Sequence, residues 1–292
     1  KVGGFSVLVS SLPEDSFRMT PKGGGSIEWL NYVRAWMVIG LGNLAGQDLL
    51  QRSLSAKNEE VAQNSAYLSS VIYLVFGIIA VLIGMAGSLL IPGLENPELV
   101  IPKLALNYLP PVLASLFISA LLAAVMSSAD SSILACSSVL GKNLLPWISK
   151  SNSDRTVLKW TRLSVPVFAV LSMMVALFVG EVYTLLLDSF SILLVGLFVP
   201  LTAGIWWPKA NTTAALSAMV LGSVSWIAFK FITPEIPSDM IGLGVSVSAM
   251  VLVTLFTKNK EAANPIKDVD GNILPFADRL GTLSLFTGKN KI

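Results

Sequence analysis

The chain has 292 residues, 53% of them apolar and only 13% charged, with a formal net charge of +2. Soluble domains carry about a quarter charged residues, so this composition suits lipid, and the near-neutral charge argues against nucleic acid as a partner. Histidine is absent and Cys136 is the one cysteine, which removes a histidine-dependent triad, a histidine-ligated metal, a histidine proton relay and an internal disulfide.

The chain opens at Lys1 without a start methionine or signal peptide, and reads as the later part of a longer protein. Residues 1–28, with three successive glycines at 23–25, are expected to be an extramembrane connection. The run 29–50 is apolar but interrupted by Arg34, Asn43, Gln47 and Asp48 and by Gly40, Gly42 and Gly46. Two readings stay open for it. It is either a surface helix or a discontinuous membrane helix whose freed backbone groups face a cavity.

A membrane helix needs about 20 mostly apolar residues. Six runs meet that length, at about 66–91, 110–140, 163–179, 183–206, 212–232 and 239–257. Pro110 and Pro111 stand at a helix start, and Pro166 and Pro200 lie inside spans, where membrane helices tolerate them as kinks. Arg52 and Lys57 fall in one connection, Lys142, Lys150, Arg155, Lys159 and Arg162 in another, Lys209 in a third, and Lys258 and Lys260 in the tail. The alternate connections hold Lys103 or no cation, so the first set is expected on the cytoplasmic side. Residues 258–292 are polar, contain no span, and are expected to form a cytoplasmic tail.

The run 116–140 is the most informative. It can cross a bilayer, yet it holds seven serines and Asp130. At about 100° per residue, Ala124, Ser127, Ser128 and Ser131 share roughly a 100° arc, with Asp130 to one side. Such a stripe serves either close helix packing or an alkali cation, for which hydroxyls and a carbonyl replace hydrating water. One helix supplies about three oxygens, so the rest of such a shell must come from elsewhere. An intramembrane carboxylate such as Asp130 needs a cation, a basic partner or a proton.

The run 123–143, AAVMSSADSSILACSSVLGKN, resembles the eighth core helix of the sodium/solute symporter family, closest to its choline and proline transporter branches. The run 46–57, GQDLLQRSLSAK, resembles the end of that family's sixth core helix and the following loop. The likeness implies an all-α membrane protein with part of the leucine-transporter fold. It divides the chain into 1–28, a second inverted repeat over 29–206 comprising core helices six to ten with the first one broken, two further helices over 207–257, and the tail 258–292. It implies sodium as the coupling ion, held by Ala124, Ser127 and Ser128, with Asp130 or Ser131 serving a second ion. It implies a solute pocket at the unwound part of the broken helix, with Gly42, Asn43 and Gln47 as candidates. Gly46 departs from the choline branch, which carries a tryptophan there to meet a quaternary ammonium.

The expected activity is therefore sodium-driven symport of a small organic solute (a choline-like cation, an amino acid or similar), not an enzymatic reaction. The expected location is the cell membrane, multi-pass. The partner needed to complete the site is the missing N-terminal half of the same protein. A transport-inactive sensory or structural domain of the same fold is the alternative. An intramembrane protease would need a base beside Ser127 or a second acid facing Asp130; Asp188, expected to be solvated near a span end, is the nearest in kind.

Overall fold

The computed structural model describes residues 2–23, 25–144, 153–232 and 236–257. Among these, all regular structure is helical. In chain order the α-helices are α1 (Phe5–Ser11), α2 (Ser26–Met37), α3 (Gln47–Leu54), α4 (Glu59–Leu90), α5 (Val100–Tyr108), α6 (Pro111–Val139), α7 (Asp154–Val179), α8 (Val182–Leu193), α9 (Val199–Trp206), α10 (Thr212–Ile232) and α11 (Ser238–Phe256). Wider π-helical turns follow α2, α6 and α8, at Val38–Gly42, Leu140–Leu144 and Leu194–Phe198. Six helical stretches are long and apolar enough to cross a membrane: Glu60–Leu90, Pro111–Leu144, Asp154–Val179, Val182–Trp206, Thr212–Ile232 and Ser238–Phe256.

Several of these helices reach beyond the apolar runs that announce them. Hydropathy marks only the part suited to hydrocarbon, whereas a helix continues as long as its backbone bonds do. Thus α4 begins at Glu59 rather than near 66, and α7 at Asp154 rather than near 163. Ser153 caps α7: its hydroxyl accepts from the Thr156 N–H at 3.3 Å. The helix ends where Gly180 turns left-handed, at φ 73°. The short α5 was not foreshadowed by any long apolar run. Asn96 begins the turn that leads into it, its side chain accepting from the Glu98 N–H at 2.9 Å. Pro200 lies in the first turn of α9, directly after the wide turn at 194–198. The ring of a proline displaces the carbonyl four residues back, here Gly196, and a π turn accommodates that displacement.

The described residues fall into two compact units: those within 1–18 and 66–185, and those within 19–65 and 186–257. In the first unit α4 meets α5 at Gly87, where a Cβ would lie 2.4 Å from Val100 Cγ2. Tyr183 N–H donates to Glu98 Oε1 at 2.9 Å. α6 packs along α7, closing at Gly141, where a Cβ would come within 2.1 Å of Thr161 Oγ1. The second unit is organised around the antiparallel pair α10 and α11. Val199, Ala214, Ala218, Ala249 and Met250 form its buried apolar cluster. Gly222 and Gly242 let the two helices and the wide turn at 194–198 approach closely. Residues 145–152 and the tail 258–292, including Lys150, Lys258 and Lys260, lie outside the described residues.

A Cβ on Gly222 would sit 2.5 Å from the Val195 carbonyl oxygen, whereas one on Gly244 meets nothing within 4 Å. Gly222→Ala is therefore expected to destabilise the protein by about 1–3 kcal/mol, and Gly244→Ala to leave it unharmed. Thermal melting in detergent checks the contrast; equal melting of the two variants would contradict this packing.

Candidate functional site

α6 starts on Pro110 and Pro111, where the missing proline N–H costs nothing, and runs unbroken to Val139. Ser137 and Ala114 are its buried residues, and Ser137 lies one turn before Gly141, which meets Thr161 of α7. Counting back at about 100° per residue, Ser128 lies about 180° from Ser137, Ala124 about 140° and Ser131 about 120°. By the same count Ser127 lies about 80° and Asp130 about 20° from Ser137, so only Ala124, Ser128 and Ser131 face away from that side. Ala124, Ser127, Ser128, Asp130 and Ser131 are nonetheless all exposed in the described structure. Its serines are not consumed in packing within this unit.

The hydroxyls differ in what they do. Ser131 Oγ donates to the Ser127 carbonyl at 2.9 Å, and Ser132 Oγ to the Ser128 carbonyl at 3.0 Å. Ser127 and Ser128 have no side-chain hydrogen bond among the described residues, and neither does the Asp130 carboxylate. The stripe therefore offers two uncommitted hydroxyls one turn beyond Ala124, with a carboxylate beside them. Among the described residues no cluster of three or more His, Cys, Asp or Glu could hold a metal. Neutral oxygens at helical spacing suit a hard monovalent cation rather than a transition metal.

The second group of candidates lies in the other unit. The run 29–50 folds as α2, the wide turn Val38–Gly42, a tight turn at 45–46, and α3. Gly46 is extended, at φ −65° and ψ 132°, and heads α3. Its N–H donates to the Asn43 carbonyl at 2.9 Å, and the Ala45 N–H to the Gly42 carbonyl at 3.3 Å. These two bonds satisfy the Ala45 and Gly46 donors at the interruption, and the first N–H groups of α3 follow without a side-chain cap. Asn43 and Gln47 are exposed on either side of it. Gly42 is buried: a Cβ there would lie 2.4 Å from the Phe190 carbonyl oxygen, so its lack of a side chain serves a close backbone approach.

Two ion pairs in this unit were not read from the sequence as pairs. Asp239, 0% exposed in the first turn of α11, accepts from Arg34 Nε on α2 and from Trp226 Nε1 on α10, the latter at 2.7 Å. Asp188, expected to be solvated, instead lies 2.5 Å from Lys230 Nζ. Lys230, near the end of α10, also stands over the Trp226 ring at 5.3 Å from its centroid. The only signal in the sequence was that these charges fall near ends of apolar runs. Asp48 and Arg52 stand one helical turn apart in the sequence, a spacing that suits a pair; the Asp48 side chain lies outside what the structure describes.

Residues 2–222 match the sodium:solute symporter family. The chain belongs to that family. It is 26% identical over 233 residues to a sodium/pantothenate symporter of Haemophilus influenzae, covering 77% of this chain and 48% of that protein. It is 32% identical over 210 residues to the human high affinity choline transporter 1, covering 68% of this chain and 36% of that protein. A sodium/pantothenate symporter of Escherichia coli is 28% identical over 255 residues, 82% of this chain and 52% of that one. The chain thus spans about half, or less, of the length of these relatives. With six helices able to cross a membrane, this family member is a multi-pass integral membrane protein.

The two ion pairs should differ in worth. Removing one partner of a buried pair costs about 3–5 kcal/mol, and of a part-exposed one about 1 kcal/mol or less. Arg34→Met, which strands a buried carboxylate, is expected to lower the melting temperature in detergent well below that of Lys230→Met. The reverse order would contradict the burial of Asp239.

Proposed function

We propose that this chain carries the sodium-binding helix and the broken, solute-facing helix of a sodium-coupled symporter that moves a small organic solute by alternating access. The observation that carries the reading is the stripe on α6: Ser127 and Ser128 are exposed on an apolar helix, and their hydroxyls make no hydrogen bond among the described residues. Family membership supports sodium as the ion that such oxygens hold.

In this reading the Ala124 carbonyl and the Ser127 and Ser128 hydroxyls give one side of the shell. The remaining oxygens come from the first repeat, which this sequence does not contain. An ion held between two bodies stabilises the arrangement in which they are docked, and that differential affinity is what couples its gradient to a conformational change. Asp130 and Ser131, further along the same helix, are proposed for a second sodium. Ser131 keeps its lone pairs while donating to the Ser127 carbonyl.

The solute is bound at the interruption of the α2–α3 run. Asn43 and Gln47 offer amides that donate and accept, and the α3 N-terminus after Gly46 presents backbone N–H groups. The relatives are named for choline and for pantothenate, one a quaternary ammonium and the other a carboxylate. Gly46 gives no aromatic face to a quaternary ammonium, so for choline such a face would come from the first repeat.

Uptake of labelled choline and pantothenate by cells making the full-length protein, measured across sodium concentrations, tests the reading. Ser127→Ala/Ser128→Ala is expected to raise the half-saturating sodium concentration by about tenfold or more, since each lost ligand to a cation is worth on the order of 1 kcal/mol. An unchanged sodium dependence in a normally expressed double variant would remove the assignment.

A further inference from the structure

In the second unit, the first half of the broken helix is tied down and the second half is not. Arg34 on α2 reaches the fully buried carboxylate of Asp239 on α11, which Trp226 on α10 also holds. The Trp226 ring carries Lys230, and Lys230 pairs with Asp188 on α8. One chain of charges and a ring therefore joins α2, α11, α10 and α8. Eight residues beyond Arg34, Gly42 rests against the Phe190 carbonyl. These contacts hold the run before Gly46 to α11 at Arg34 and to α8 at Gly42.

Past Gly46 these ties stop. None of the described side chains of α3 is buried, and none of α2 is either; the two halves differ in the Arg34–Asp239 pair and in the buried Val38 and Gly42 that follow α2. The side-chain hydrogen bonds made by Ser53 and Ser55 go back to Leu49 and Arg52, within the same segment. A segment with few buried contacts and exposed backbone opens at low cost, whereas one held by a buried ion pair does not. Buried pairs contribute little net stability relative to apolar residues, so their value here is in fixing one arrangement. Gly46, extended between two helical segments, is where a backbone rotation can be absorbed.

We propose that the α10–α11 pair is a fixed brace for the first half of the broken helix, with Arg34 and Asp239 as positioning residues. The movement this helix makes during transport then occurs in α3, beyond Gly46. The transport part of this inference rests on the symporter reading above; the brace itself does not.

The test is hydrogen exchange by mass spectrometry on the full-length protein in lipid nanodiscs, comparing the unmodified protein with Arg34→Met/Asp239→Asn. That double variant removes the ion pair without leaving a lone charge and keeps an acceptor for Trp226. In the unmodified protein, residues 47–54 are expected to exchange about tenfold faster than 26–42. In the double variant, residues 26–37 are expected to speed up by about tenfold while 111–139, in the other unit, stay unchanged. Maximal uptake of choline or pantothenate is expected to fall with the half-saturating sodium concentration unaltered. Unchanged exchange at 26–37 overturns the brace. So does equal acceleration at 111–139, which would make the pair a general stabiliser, or slow exchange at 47–54 in the unmodified protein. Full uptake despite a released α2 overturns the positioning role. Absence of sodium-driven uptake in the unmodified protein counts against the symporter reading alone, because the exchange comparison needs no transport.

Discussion

A polar group in hydrocarbon must find a partner within the protein, because no water is there to take its place. That constraint governs this chain more than any helix propensity does. Several of its intramembrane hydroxyls meet the constraint locally: Ser115, Ser191, Ser217, Ser248 and Thr254 each donate to a carbonyl one turn back, whereas the buried Ser137 and Ser246 hydroxyls have no partner among the described residues. Its charges meet it over long distances, Asp239 with Arg34 and Asp188 with Lys230. Against that background the stripe on α6 gains meaning. Ser127 and Ser128 sit exposed on an apolar helix without such a bond.

The same constraint shapes the interruptions. A membrane helix can widen or break only where its backbone groups are still answered. The break at 45–46 is closed by the bonds from Ala45 to Gly42 and from Gly46 to Asn43. The wide turn before it brings Gly42 against the Phe190 backbone, and the wide turn at 194–198 brings Val195 against Gly222. Small residues at these points let backbones approach, and the ion pairs at the α2, α8, α10 and α11 ends keep them there. Each unit then offers one distinctive helix: in one, α6 with its exposed serine stripe, and in the other the interrupted α2–α3 run, held by an ion pair on one side of its break.

Much of this was legible in the sequence, and the limits were physical. The six spans follow from apolar runs, because length and composition alone decide whether a helix suits a bilayer. Their starts were read late at α4 and α7, because charged residues leave the lipid without ending the helix. The serine stripe was visible from 3.6-residue periodicity, and so was the weakness of the 29–50 run from its glycines and amides. The wide turns were not legible, since they answer to packing that no local pattern encodes. Nor was the Arg34–Asp239 pair, whose members are 205 residues apart in the chain. Asp188 and Lys230, 42 residues apart, each looked like an ordinary span-end charge until the fold brought them together. Gly42 was singled out as a possible solute contact because glycine exposes backbone; the structure adds that its missing side chain is needed for packing.

The claim on which the account stands is that the α6 hydroxyls are ion ligands rather than packing groups or idle polar atoms. An experimental structure of the full-length protein in a lipid nanodisc, determined in sodium and again in potassium, measures this most directly. The expected result is density for an ion in sodium only, bounded by the Ala124 carbonyl and the Ser127 and Ser128 hydroxyls on one side and by a facing helix on the other. Ser127 and Ser128 turned toward acyl chains, with no facing segment and no difference between the two cations, would contradict it.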